Sequence, residues 1–573
     1  MTTTRYSISL ALACALSLAA CSGTVGVTSD ASNTPPAGLP APTVSLSAAP
    51  NPVVSGGSAQ LNWSSSNASS CSATGAWSGS KSTSGSLTIN SVTSASTYTL
   101  TCTGTGGSTT RSMTVNVTGG AGTASGAVDS SLLDRHQESA NLVYAFAGSN
   151  TTSGVPVASV PVTQDVGACT FRYNISGLVS GNYTIALSSN GGASFKRSAN
   201  VTLGGAPATQ DFTPARVLRV GPMRQFATPN DVTGIVSGDV IEIDAGVYNG
   251  PAISWGTDNL TLRGAGGRAH MVAPANISNG KATWVTQGDN MMVENIEFSG
   301  AAVSGLNGSG IRAEGQDLAI CGSYFHDNQE GILGGGGKVL IEYTEFARNG
   351  NCDDPSGCAH NIYIDNTDRF TLRYSYSHHA SIGHLVKSRA SENYILYNRI
   401  MDESDGTSSY VIDLPNGGLS YIVGNLLQQS PFTDNPIMVT YGEEGLLRPS
   451  HNLYVVNNTF VNDRTAGGTF VFVQGGSTAT VQNNLFVGIG TAVSGTATQT
   501  SNLKIATAAA NFVNIGVFDY RPTATTPGID QGTAPGLGGA FDLTPIYQYV
   551  HPLNREPRPV RNAIDIGAYE YAP

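Results

Sequence analysis

Three short extended segments recur between residues 360 and 418: 361–366 (NIYIDN), 385–390 (LVKSRA) and 411–416 (VIDLPN). Each is followed by a turn and a second extended segment, FTLRYSY, YILYNRI and YIVGNLL. His360 to His384 and Tyr363 to Lys387 are both steps of 24, and Lys387 to Asp413 is a step of 26. A unit repeating at such a period cannot bury its apolar side alone and must stack on its neighbours, so the repeat restricts this region to a solenoid. The same stretch holds the densest set of ionisable side chains in a chain with only 12% charged residues, against the usual ~25%.

Short alternating segments, 69 glycines in 573 residues and few helical patterns predict an all-β protein with many tight turns. An apolar-x-x-Asn pattern ends at Asn295, Asn398, Asn425, Asn458 and Asn484. These amides are expected to stack as an internal ladder at the ~4.8 Å coil spacing. Residues 217–251, VLRVGPMRQFATPNDVTGIVSGDVIEIDAGVYNGP, resemble the N-terminal cap of right-handed parallel β-helices, with a strand, a short helix and a second strand. The chain closes on IDIGAYEY, an ending common in that superfamily, so the resemblance implies one β-helix over 216–573.

The regions before it read differently. Arg5 followed by an apolar run over 8–20 is a targeting signal too short to span a bilayer. Leu18-Ala19-Ala20-Cys21 resembles the lipobox of bacterial lipoproteins, which implies cleavage after residue 20 and lipidation of Cys21. Ser22, rather than Asp, implies sorting to the outer membrane or cell surface. Residues 21–41 form a flexible tether. Residues 42–118 resemble a small immunoglobulin-like β-sandwich stapled by Cys71 and Cys102, with one of Trp63 and Trp77 expected in its core. After a glycine-rich linker, residues 127–213 resemble a second spacer sandwich of the carboxypeptidase-regulatory type. Cys352 pairs with Cys358, while Cys169 and Cys321, in different domains, are expected to remain buried thiols. The net charge of −11 gives no general attraction for nucleic acid, and a monomer is expected.

Alternation along the repeated segments places Ile362, Ile364, Val386, Ser388, Ile412 and Leu414 inside. It leaves an outward column of Tyr363, Lys387, Asp413 and Thr440, flanked by Asp365 and Arg389. The preceding coil, GILGGGG, presents Gly335 and Gly336 as a bare strip on which a sugar chain could lie near backbone. Thr440 and Glu443 are further candidates for sugar contact. His360 and His384 share the inward parity and are expected to be buried in the stack, leaving His378 and His379 as the better catalytic imidazoles.

The solenoid is similar to the pectate-lyase-like superfamily, whose members cut or epimerise acidic polysaccharides. Val386-Lys387-Ser388 followed by Asn393 resembles a rung of the chondroitinase B and alginate lyase group. That resemblance implies Lys387 as the base at C5 of a uronate, and a calcium ion on an acidic cluster one rung earlier. Only Asp365, with Asn366, stands where calcium ligands would be. The group's assisting arginine has no counterpart, since its rung here is Val411-Ile412-Asp413-Leu414-Pro415. Elimination needs a cation for the carboxylate, a base and an acid. Arg389 suits the first role; Lys387, Tyr363, His378 or His379 suits the others, and Asp413 completes the set. The expectation is a surface-anchored lyase for a uronate-containing polysaccharide. A glycoside hydrolase, a C5-epimerase and a non-catalytic adhesin are the rival readings.

Overall fold

The computed structural model describes residues 40–573 except 55–56, 93, 119–121, 205, 353–356 and 560. The signal sequence, Cys21 and most of the tether lie outside the described residues.

The chain divides into two compact units, Met1–Thr118 and Gly119–Pro573. The described part of the first is a sandwich of a three-stranded and a four-stranded antiparallel sheet, with Cys71–Cys102 joining two adjacent strands of the four-stranded sheet. Both Trp63 and Trp77 are buried in its core, edge-to-face at 5.2 Å, so neither ring is presented to a ligand.

The second unit holds the second sandwich and a parallel β-helix. The sandwich's first strand, Gly122–Val128, begins inside the stretch read as a linker. The solenoid strands form a ten-stranded sheet and a long sheet of 21 strands, parallel throughout. Each central coil supplies three strands, for example Val386–Ser388, Glu392–Leu396 and Arg399–Met401. The segments read as single strands after each turn are therefore two. They break at a column of left-handed residues that includes Tyr374, Tyr397, Gly424, Asn457 and Asn483, with φ between 52° and 70°. An N–H and a C=O of one residue are turned at this corner, and the next side chain repairs the ladder.

That repair is the amide stack. Asn398, Asn425, Asn458 and Asn484 each pass an Nδ2–H to the Oδ1 of the next asparagine at 3.0 Å, ending on Asn502, and each accepting Oδ1 also takes the backbone N–H of the asparagine before it in the stack. Asn295 is not part of it: with φ of 53° it occupies the left-handed corner itself. In the earlier coils Ser323 and Ser375 hydroxyls accept the equivalent N–H groups. The amides of Asn398, Asn425, Asn458 and Asn484 are buried and doubly satisfied, so they fix register where a purely apolar stack would allow slippage.

Two further layers lie on the long sheet. The C-terminal segment packs Tyr549, Ile566 and Tyr569 on Tyr376, Met401 and Leu426. The second sandwich docks through buried polar contacts: Arg135 ion-pairs with Glu342, and Ser130 Oγ donates to Glu294 at 3.0 Å. Cys169 and Cys321 are disulfide-bonded, contrary to the free thiols expected. The expectation failed because sandwich and solenoid pack as one unit, which brings the two Cα atoms to 6.0 Å. Among the described residues, neither layer hydrogen-bonds or ion-pairs to strands of the ten-stranded sheet.

Candidate active site

The ten-stranded sheet carries the outward column that strand alternation predicts. Tyr363 pairs with Lys387, Lys387 with Asp413 and Asp413 with Thr440. Alternation is strict because Ile362, Val386 and Ile412 point into the core at 0% exposure. The column is not equally exposed along its length. Lys387 and Tyr363 are half-buried, whereas Asp413 is 1% exposed.

Asp413 is the buried anchor. Its Oδ1 accepts from Thr440 Oγ1 at 2.8 Å; its Oδ2 lies 3.6 Å from Lys387 Nζ and 3.4 Å from His384 Nε2. Burial raises its pKa to about 6, against the opposing pull of Lys387 and the Thr440 hydrogen bond. Lys387 Nζ has a second carboxylate, Glu444, at 3.6 Å and sits 5.3 Å from the centre of the Tyr363 ring. Arg389 is held on three sides. It donates Nε–H to the Tyr363 oxygen at 2.9 Å and Nη1–H to Asn416 at 2.5 Å, and its Nη2 pairs with Glu444 at 2.7 Å. Glu443, in the same turn as Glu444, accepts from Tyr410 Oη at 2.8 Å.

The imidazoles of this site are His384 and His360, which stack at 4.4 Å between ring centres. His384 Nδ1 accepts the Tyr410 N–H, and His360 Nδ1 accepts the His384 N–H. Each ring therefore carries its proton on Nε2. Burial, then neighbouring positive charge and, for His360, first the other imidazole, holds both pKa values well below the ordinary histidine value. They are neutral spacers, as their parity predicts, yet His384 also abuts Asp413. Beneath them Glu330, fully buried, accepts the His360 N–H at 2.8 Å, and burial raises its pKa well above the carboxylate range.

His378 and His379 are elsewhere. His378 ends the strand Tyr376–His378 of the long sheet and His379 follows it; His378 faces Glu345 at 3.3 Å and His379 faces Asp405 at 3.2 Å. Among the described residues neither contacts Lys387, Arg389 or Asp413. Sequence distance misled here: residues 380–385 turn the chain from one sheet to the other. Gly335 and Gly336 follow strand Glu330–Gly334 as expected, but they are not a bare strip. A Cβ on Gly335 would lie 2.7 Å from Thr367 Oγ1, and one on Gly336 2.6 Å from Gln316 Nε2. Asp365 and Asn366 are exposed, and the Asn366 oxygen is taken by Arg448. Among the described residues no group of three His, Cys, Asp or Glu side chains converges there, short of the 6–8 oxygens that calcium takes.

Glu330, Tyr410, Asn416 and the His384–Asp413 contact escaped the sequence reading. Tyr410 and Asn416 lie two residues beyond the ends of the strand Ile412–Leu414, where strand alternation no longer assigns a side chain to a face.

No family model matches the chain, and no curated protein matches it. Among solved structures it is similar to pectate lyase Pel9A, at 15% identity and a TM-score of 0.46 over 63% of this chain and 97% of that one. It is also similar to the titin domains Z1Z2 in complex with telethonin, at 15% identity and a TM-score of 0.13 over 30% of this chain and 98% of that one. A third similarity is to the Bacillus anthracis TIE protein, at 11% identity and a TM-score of 0.17 over 31% of this chain and 42% of that one.

Proposed function

We propose that the ten-stranded face binds a uronate-containing polysaccharide and cleaves it by β-elimination, with the reacting unit at Lys387, Arg389 and Tyr363. The observation that carries this reading is the position of Glu444. Its carboxylate sits 2.7 Å from Arg389 Nη2 and 3.6 Å from Lys387 Nζ. A uronate carboxylate would meet the same two cations in the same way. Glu444 is 43% exposed on its side chain, so the pair it makes is worth only about 0–1 kcal/mol. An incoming substrate can replace it cheaply.

In this scheme Arg389 neutralises the substrate carboxylate, which makes the C5 proton more acidic. Lys387 takes that proton. The Tyr363 oxygen accepts from Arg389, which leaves its own O–H to be donated to the departing glycosidic oxygen. Asp413 and His384 position the lysine without touching sugar. Asp413 could not serve as one acid of a hydrolytic pair with Asp365, since it is buried. A calcium ion is not required by this scheme. The lipobox-like sequence would tether the enzyme to the outer membrane, with two sandwiches as spacers.

One observation favours a second reading. Lys387 Nζ lies 3.6 Å from a carboxylate on each side, Asp413 and Glu444, which holds it as a fixed cation. A binding protein would want that arrangement. Incubation with a panel of uronate polymers decides: an ultraviolet-absorbing unsaturated product, absent with Lys387→Ala, supports the lyase. Retention of the polymer without product, new reducing ends or changed isomer content would leave the binding protein.

A further inference from the structure

We propose a second site, unrelated to the polysaccharide face: a zinc-class divalent metal site formed by His270, Glu297 and His326. The three residues come from successive coils of the long sheet, in strands Thr261–Val272, Ile296–Ser299 and Tyr324–His326. Register pairs His270 with Glu297 and places His326 opposite Ser299, two residues further along. Glu297 Oε1 lies 3.3 Å from His270 Nδ1 and 3.1 Å from His326 Nε2, and all three ligand atoms fall within 4.8 Å of one another. Two donors bound at 2.0–2.1 Å to a tetrahedral zinc lie about 3.3–3.4 Å apart, so two of the three edges are already formed.

The hydrogen bonds behind the ligands argue further. His326 Nδ1 lies 2.6 Å from Asp327 Oδ2, a carboxylate behind the ring on the side away from Glu297. With Nδ1 so engaged, Nε2 is the ring nitrogen that faces the Glu297 carboxylate and would ligate beside it. His270 is held in the same way, its Nε2 2.7 Å from Ser299 Oγ and its Nδ1 toward Glu297. A carboxylate or hydroxyl behind each ligating imidazole is the usual support of a metal-bound histidine. The nearby Arg268 has its Nε–H committed to the Gly322 carbonyl. Asp327 is itself paired with Arg348, at 3.0 Å, which fixes the support. Two imidazoles select zinc, copper or nickel over calcium or magnesium, and three protein ligands leave one position for water. The metal would tie three coils together, the last of which also carries the Cys169–Cys321 bond.

The test is calorimetric titration of tag-free, EDTA-dialysed protein with zinc chloride, with thermal midpoints measured in parallel. Wild type should bind one zinc more than the His270→Ala/His326→Ala variant, and zinc should raise the midpoint of wild type alone. Calcium chloride should do neither. Glu297→Gln, which changes no imidazole, serves if the double variant does not fold, and should weaken zinc binding at least tenfold. Equal stoichiometry and equal midpoint shifts in wild type and variant, or no zinc bound by wild type, would overturn the proposal.

Discussion

Glu444 and Arg389 form an ion pair at 2.7 Å across two coils, and the same carboxylate reaches Lys387. An acidic side chain thus occupies the cations that an acidic substrate needs. Glu444→Gln should remove that competitor. The expected outcome is a KM for a uronate polymer lowered about two- to fivefold, with kcat changed less than twofold. This corresponds to the 0–1 kcal/mol that an exposed pair contributes. An unchanged KM would place substrate binding away from Arg389.

Lys387 and the two long-sheet histidines separate by test. Lys387→Ala should lower kcat by about 10²–10⁴, the range for loss of a positioned acid or base. His378→Ala and His379→Ala should each leave kcat/KM within threefold, since both side chains are engaged with Glu345 and Asp405. Steady-state rates with far-UV circular dichroism as a folding control suffice. A large loss in either histidine variant would relocate the site.

Asp413 is the titrating group beside Lys387. Burial raises its pKa to about 6, so 3.6 Å from Nζ it is charged above that pH and neutral below it. Asp413→Asn keeps an acceptor for Thr440 and carries no charge at any pH. An inflection of the kcat/KM profile near pH 6 should therefore appear in wild type and be absent from the variant. The same inflection in both proteins would show that Asp413 does not titrate in the working site.

The outward column was legible because strand alternation has a period of two and the repeats fix register. Tyr363, Lys387, Asp413 and Thr440 could be ordered from sequence alone for that reason. Partnerships across coils were less accessible. Glu444 reaches Lys387 from a turn two coils away, and turns obey no parity. The segment FTLRYSY could not be divided, since its break lies at Tyr374, a residue with no ordinary preference for the left-handed backbone. Cys169–Cys321 required knowing that a sandwich folds back on the solenoid, which no local pattern encodes.

Glu294 tests the buried interface beneath that sandwich. It is 3% exposed, its Oε2 accepts from Ser130, and burial raises its pKa from 4.5 to about 7, against Arg263 and the Ser130 bond. The folded chain therefore holds this proton more tightly than the unfolded one. Its contribution is fully favourable below pH 4.5 and is lost as pH rises through 7. Glu294→Gln should match wild type near pH 4.5 and exceed it by about 1–3 kcal/mol at pH 8. Denaturation midpoints at the two pH values check this; a variant less stable than wild type at pH 8 would contradict it.

The Cys169–Cys321 bond closes a loop across 152 residues and joins the second sandwich to the solenoid. Loop closure of that size predicts that Cys169→Ser lowers stability by about 2–5 kcal/mol. Docking should nevertheless survive. Arg135 and Arg373 both meet Glu342, which is 0% exposed, and Arg263 meets Asp129 at 2.8 Å. Separating these groups would leave buried charges to be rehydrated one by one, at a cost the bond alone does not set. The variant should thus melt earlier but keep the wild-type radius of gyration in solution scattering at 25 °C. An enlarged radius would mean that the disulfide, rather than the buried ion pairs, holds the sandwich in place. A non-reducing digest should show the Cys169 and Cys321 peptides linked in wild type, and two unlinked thiols there would remove the premise.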